Sequence, residues 1–185
     1  GSSNNKYLEI FNATDADVDM SGYSLSNCSN GCNELDVWDY PDTAVFDAGT
    51  MVAAGDVFVI CHGSADEFIQ AECDATFTYL SNGDDVFALT QIGSGLILDI
   101  IGTTGDDPGS GWDVAGVTDA TKDHTLVRKS SVASGATDWA MSAGTNADDS
   151  EWVVLDQNTW EYVGSHPHEF VAEVEGCMDM NATNY

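Results

Sequence analysis

Basic residues are what this sequence lacks most. Lys and Arg number 4 in 185 residues against 32 Asp and Glu, giving a formal net charge of −28. A phosphate backbone is held by a Lys/Arg footprint, so the charge balance argues against nucleic-acid binding. Docking on an anionic lipid surface is disfavoured for the same reason. No apolar run approaches the roughly 20 residues of a membrane span, so no helical insertion into a membrane is expected. No charged n-region followed by an apolar stretch opens the chain, and any export signal is expected to be gone already.

Glu is scarce beside Asp. Of the acidic residues 23 are Asp and 9 are Glu. Asp favours turns and disfavours helix interiors, whereas Glu would have supported helices. With 18 Gly, the composition reads as strands joined by Asp/Gly-rich loops. Large apolar residues are also thin. Leu, Ile, Val and Phe make up about a fifth of the chain, only just above the range associated with disorder. Five Trp and six Tyr tip the reading to a folded domain. The length suits one domain with a short appendage. The excess negative charge is a solvated surface whose self-repulsion salt would screen, which points to salty, marine surroundings.

The five cysteines are Cys28, Cys32, Cys61, Cys73 and Cys177. Cys28 and Cys32 can close a small loop and Cys61 and Cys73 a larger one. Four cysteines allow three connectivities, so the pairing stays open at this point. Zinc would need a second short-spaced Cys/His pair, and none accompanies Cys28/Cys32. Disulfides are therefore expected ahead of zinc, and with them an oxidising compartment. Cys177 is then odd and expects a partner elsewhere.

Nearly every patterned segment has period two or is a short β-rich run. Tyr7–Phe11, Tyr23–Leu25, Asp56–Cys61, Thr125–Lys129 and Trp152–Leu155 read as strands. Thr76–Leu80 and Val86–Leu89 flank Ser81-Asn82-Gly83-Asp84-Asp85, and the Asn-Gly predicts a hairpin. Leu96–Ile101 is nearly all apolar and reads as a central strand covered on both faces. One short helix is expected, opened by a capping box from Ser64 to Glu67 and continued by Phe68–Ala71. Short strands with frequent turn signals predict an all-β sandwich. Two loops are long, residues 26–50 and 102–124. The first is expected to be tied down by Cys28–Cys32 and by Trp38, Tyr40 and Phe46 folding back, and in the second Trp112 is expected to plug one end of the core. A boundary falls near Ser165-His166-Pro167-His168, giving a sandwich over residues 1–164 and a segment over 165–185.

Several of these stretches resemble the lamin tail domain family. They are Lys6–Asn12, Val18–Leu25 (with Met20 where the family usually has Leu), Ala54–Ile60, Asn82–Leu89, Leu98–Gly102 and Thr125–Lys129. They occur in family order over roughly residues 6–155. The resemblance implies an immunoglobulin-like β-sandwich with long Asp/Gly-rich loops. It implies no catalytic residues, and a place in secreted or surface proteins of bacteria, sometimes beside nucleases or phosphatases. Family members usually carry one more strand before the Tyr7 region. A gap of that kind can be filled by a donated strand, and Glu169–Val174 alternates in strand fashion. That segment would fill its own domain's gap, fill a neighbour's, or link to another domain. Gly176–Tyr185 resembles the start of a short Cys-flanked repeat of large bacterial surface proteins, which would supply a partner for Cys177.

Candidate chemistry is weighed against ordinary turns. Asp123-His124 lies near Ser130 and Ser131, but no nucleophile elbow accompanies them. His62, His166 and His168 complete the histidines. Asp15, Asp17 and Asp19 open like a calcium loop, which then fails at Met20 and Ser26. Asp106, Asp107 and Asp113, and Asp148 and Asp149 beside Asn146 and Glu151, are the candidate Ca²⁺ loops. Trp38 and Tyr40 among acidic residues have the pattern of a sugar-stacking platform. The sequons at Asn12, Asn27 and Asn181 carry little meaning in a bacterium, and Asp42-Thr43-Ala44 fits a short bacterial O-glycosylation pattern. The expected function is a non-enzymatic structural or adhesive module at a bacterial surface. Its expected partners are neighbouring domains or copies of itself, exchanging a strand in the sharper form. The alternative is an accessory sugar- or calcium-binding module of a secreted hydrolase.

Overall fold

A computed structural model describes residues 1–167; the segment 168–185, with its strand-like stretch, His168, Cys177 and Asn181, lies outside the described residues. The elements in chain order are β1 (Tyr7–Phe11), β2 (Val18–Asp19), β3 (Tyr23–Cys28), β4 (Tyr40–Val45), β5 (Met51–Val52), β6 (Val57–Cys61), α1 (Glu67–Ala71), β7 (Ala75–Thr76), β8 (Val86–Gln91), β9 (Ile97–Ile101), β10 (Thr125–Arg128), α2 (Trp139–Ala143) and β11 (Trp152–Leu155). The all-β sandwich expected from the sequence is what forms.

One sheet runs β4-β3-β8-β9 and the other β1-β6-β7, with β10-β11 and β2-β5 as separate two-stranded ribbons. The two larger sheets close on a core of Leu25, Phe87 and Leu89 from one side and Leu8, Ile10 and Ile60 from the other, with Met20, Phe46 and Val52 beside them. Alternation sets this up. Phe87 and Leu89 face that core, while Val86 and Ala88 turn to a second core with Trp139, Trp152 and Val114. Behind β6 a third cluster packs Ile69 of α1 and Val163 on Val59 and Cys61.

Both disulfides form as Cys28–Cys32 and Cys61–Cys73. The second clamps α1 between β6 and β7. Trp112 packs over Gly102 (φ +92°), where an added Cβ would meet the indole at 2.8 Å. The long loop is thus anchored as expected, together with buried Val114 and Ala120.

Four sequence expectations are corrected. Residues 76–80 do not pair with β8. Instead Ala75–Thr76 runs parallel to β6, held by reciprocal bonds between Val59 and Asp74. Gly83 therefore serves no hairpin turn. At φ +126° it gives room to Lys122, whose Cβ would lie 2.6 Å from an added Cβ. The strand at 97–101 is an edge strand rather than a central one, and Leu96 is 59% exposed. The helix is capped by Asp66, which accepts from Phe68 N–H, while Ser64 N–H is taken by His62 Nδ1. The 26–50 loop contains β4, and in it Tyr40 is exposed rather than folded back, although Phe46 is buried as expected.

Candidate functional site

Among the described residues, a groove of about 630 Å³ is lined by all of β1 and all of β10. Leu25, Phe87, Leu89 and Ile100 are among its lining residues. Lys6 and His124 stand along it near the start of the two strands. Lys6 Nζ donates to Asn82 Oδ1 and Leu80 O, and burial holds its ammonium below the usual lysine range against the pull of Asp85, Asp84 and Asp123. Burial, with Glu9 nearby, pushes the Tyr7 phenol up to about 12, against a pull from the Thr125 side chain. Glu9 accepts from Gly164 N–H at 2.9 Å; burial first, then the neighbouring Asp74 and Glu72 carboxylates, push it up to about 7. Arg128 closes the other end of β10 on Asp99.

Of the carboxylates singled out as calcium candidates, those of Asp107, Asp113 and Asp149 accept hydrogen bonds within their own loops. Asp149 accepts from the N–H groups of Thr145 and Asn146 and from Thr145 Oγ1 at 2.7 Å; the Thr145 hydroxyl and these amides lower its pKa. Asp148 N–H donates to Asn146 Oδ1. Asp107 accepts from Gly109 N–H, and Asp113 from Asp119 N–H. The backbone of Asp106 lies against Gly31. Among the described residues, no three His, Cys, Asp or Glu side chains are gathered as a metal ion would need. In the EF-hand-like stretch, Asp17 accepts from Ala54 N–H and Asp19 from Ser21 N–H, while Met20 is buried.

Trp38 and Tyr40 part company. Trp38 packs against the core around Cys28 and Cys32, whereas Tyr40 is 52% exposed on β4. Asp123 accepts from Gln157 Nε2 and His124 Nδ1 meets Lys122 O, so neither is aimed at Ser130 or Ser131 by these bonds. His62 Nδ1 takes Ser64 N–H, and the His166 ring stacks on Phe11 at 4.2 Å between centroids. Asn12 and Asn27 are buried, and the Asn12 amide donates to the carbonyls of Ala16, Val52 and Ala53. Both are closed to a glycan. Asp42 accepts from Ser24 Oγ and its N–H donates to Ser26 Oγ, tying β4 to β3.

The charged features missed in the sequence are Glu9 and the pair Arg128–Asp99. A lone Glu in an apolar strand was a visible signal for the first; the second joins segments far apart in the chain and left none. Set against known proteins, the chain is matched over residues 1–105 by the family model of the Lamin Tail Domain. No curated protein and no solved structure matches it.

Proposed function

Because the chain belongs to the lamin tail domain family, an immunoglobulin-like family of structural modules, we propose that it is a non-enzymatic building block of a larger extracellular protein at a bacterial surface. The observation that carries this is the disulfide pair. Cys28 and Cys61 are fully buried and each is bonded to a cysteine nearby in the sequence. Such bridges persist in oxidising compartments and are rare in reducing ones. The acidic surface fits the same setting. Its carboxylates cap turns and keep the module hydrated, and salt-rich water screens their mutual repulsion. Neighbouring domains of the same protein are its proposed partners.

A second reading is an accessory module of a secreted hydrolase, touching a glycan or a calcium-bridged surface through residues 26–50. It has in its favour the exposure of Leu35, Val37, Tyr40 and Val45 in that segment.

The test is a thiol count in denaturant without reductant, paired with antibody labelling of intact source cells. We expect Cys28, Cys32, Cys61 and Cys73 to be unreactive and intact cells to label. Free thiols at those four positions, or labelling of lysed cells alone, would overturn the extracellular placement. Specific binding to surface polysaccharide would favour the second reading.

A further inference from the structure

Beyond β11 the chain returns across the outer side of β1 and β6. Leu8 and Ile10 face the inner core, while Tyr7 packs on the opposite side with Val59 and Cys61. Alternation puts Glu9 on that outer side as well. Residues 160–164 lie over it as a strap with three fastenings. Trp160 stacks on Phe68 of α1, with ring centroids 6.3 Å apart. Val163 packs into the cluster of Val59, Cys61 and Ile69. Gly164 N–H donates to Glu9 Oε1 at 2.9 Å.

The third fastening is made to a carboxyl group among other carboxyl groups. Glu72 caps the C-terminus of α1, and Gly164, at φ +78°, comes so close to it that an added Cβ would lie 2.5 Å from Glu72 Oε2. Asp74 accepts from Val59 N–H at 2.8 Å. Glu72, Asp74 and Asp56 line a recess of about 150 Å³ together with Gly164. Among the described residues, those lining it include no Lys, Arg or His. The charges of Asp74 and Glu72 both act on Glu9. On β1 itself the titratable neighbour is Tyr7, whose phenol keeps its proton up to about 12. From the returning chain, Tyr162 and His166 line the same groove as Glu9.

We propose that residues 160–164 are a pH-dependent latch, closed while Glu9 is protonated and loosened when it ionises. Protonated, Glu9 still offers a carbonyl oxygen to Gly164 and adds no charge beside Glu72 and Asp74. Ionised, it places a third negative charge in a partly buried space, and lifting the strap lets water reach all three. Burial and the two carboxylates push Glu9 up to about 7 with the strap closed, against 4.5 for a solvated carboxyl. The closed state therefore binds the extra proton. Its advantage is complete below about pH 4.5, falls as pH rises, and is gone above about pH 7. Opening would uncover Val59, Cys61 and Ile69, which are otherwise at most 1% exposed. The core around Leu25 and Phe87 is a separate cluster and would stay closed. This inference stands independently of where the protein resides.

Amide hydrogen exchange on the full chain tests it, corrected for the intrinsic rate at each pH from about 4.5 to about 8.5, in the parent and in Glu9→Gln. In the parent, protection of the Val163 and Gly164 amides should fall about 30-fold across that range. In Glu9→Gln, which keeps an acceptor for Gly164 and cannot ionise, it should stay level. The Leu25 and Leu89 amides should remain the better protected at every pH, which shows that the strap opens while the sandwich stays folded. Strap protection that does not change with pH in the parent would overturn the proposal. The same fall in Glu9→Gln would assign the response to another group, such as His166, and overturn it too. So would strap and core amides exchanging at one common rate, since the opening would then be global. If Glu9→Gln does not fold, the carboxyl carbon resonance of Glu9 in the parent decides instead. Its titration must track the loss of strap protection, and a Glu9 that titrates near 4.5 would sink the latch.

Discussion

The guanidinium of Arg128 lies 4.3 Å from the centroid of the Trp152 ring, with β10 and β11 pairing the two residues in register. Its Nη2 is 3.0 Å from Asp99 Oδ1 on the neighbouring sheet, and Nη1 is 3.8 Å from Glu151. The ribbon is thereby fastened to β9 by one side chain that is only 11% exposed. Burial still raises the Asp99 pKa, although Arg128 and the N–H groups of Ala136 and Ile100 pull against it.

Arg128→Met should therefore destabilise the fold by about 2–4 kcal/mol, because it strands a half-buried carboxylate. Arg128→Lys should recover only part of this, since an ammonium neither stacks on Trp152 nor forks between two carboxylates. Urea denaturation of both, and of Asp99→Asn with Arg128→Met, checks it. The double variant should lose less than the sum of the singles, and the Arg128→Met deficit should shrink as pH falls and Asp99 takes a proton. Strict additivity would show that the pair is uncoupled.

Glu9 makes stability depend on pH with a definite sign. Unfolded, it gives up its proton near 4.5; folded, near 7. Between those values the folded chain binds more protons, so Glu9 makes stability fall as pH rises through that window and level off above it. Glu9→Gln keeps an acceptor for Gly164 N–H and removes the charge. It should be more stable than the parent at pH 8 by on the order of 2 kcal/mol, after allowing for partial exposure, with the difference vanishing below pH 4.5. Thermal melts of both proteins across that range decide it, and a pH-independent difference would sink the idea.

How much of this was legible depended on locality. Tyr7–Phe11, Val57–Cys61 and Trp152–Leu155 announce themselves because their aromatic and β-branched residues stand in short consecutive runs. β4 did not, because Pro41 and Asp42 interrupt its apolar pattern even though β3 pairs with it. α2 escaped because it is only five residues, opened by Asp138 and closed by Gly144 at φ +65°. The false hairpin at Asn82-Gly83 shows the opposite error. A strong local turn signal was used for close approach of the 110–122 loop, and the preceding residues paired elsewhere. The groove between β1 and β10 is set by strands distant in sequence, so spacing alone could not display it.

Trp38 and Tyr40 should behave differently when truncated. Trp38→Ala removes a side chain packed on the Cys28–Cys32 core and should lose about 2–3 kcal/mol. Tyr40→Ala, exposed on β4, should stay within about 0.5 kcal/mol of the parent. Guanidinium melts measure both. If the accessory-module reading holds, Tyr40→Ala alone should abolish glycan retention on an affinity column while leaving the melt unchanged.

The two disulfides should be unequal in their effect. Cys61–Cys73 closes a loop across 12 positions and pins α1 between β6 and β7, while Cys28–Cys32 closes one across 4. Loop-closure entropy alone assigns about 3 kcal/mol to the first and about 2 kcal/mol to the second. The larger bridge also holds Cys61 and Ile69 in a cluster of their own, so its loss should loosen α1 before the sandwich melts. Paired Cys→Ser variants, melted without reductant, should rank in that order. Hydrogen exchange should show the loss of Cys61–Cys73 confined at first to α1 and β7. Equal losses, or a larger effect from Cys28–Cys32, would mean that native packing around the small loop, and not chain entropy, sets the stability of this module.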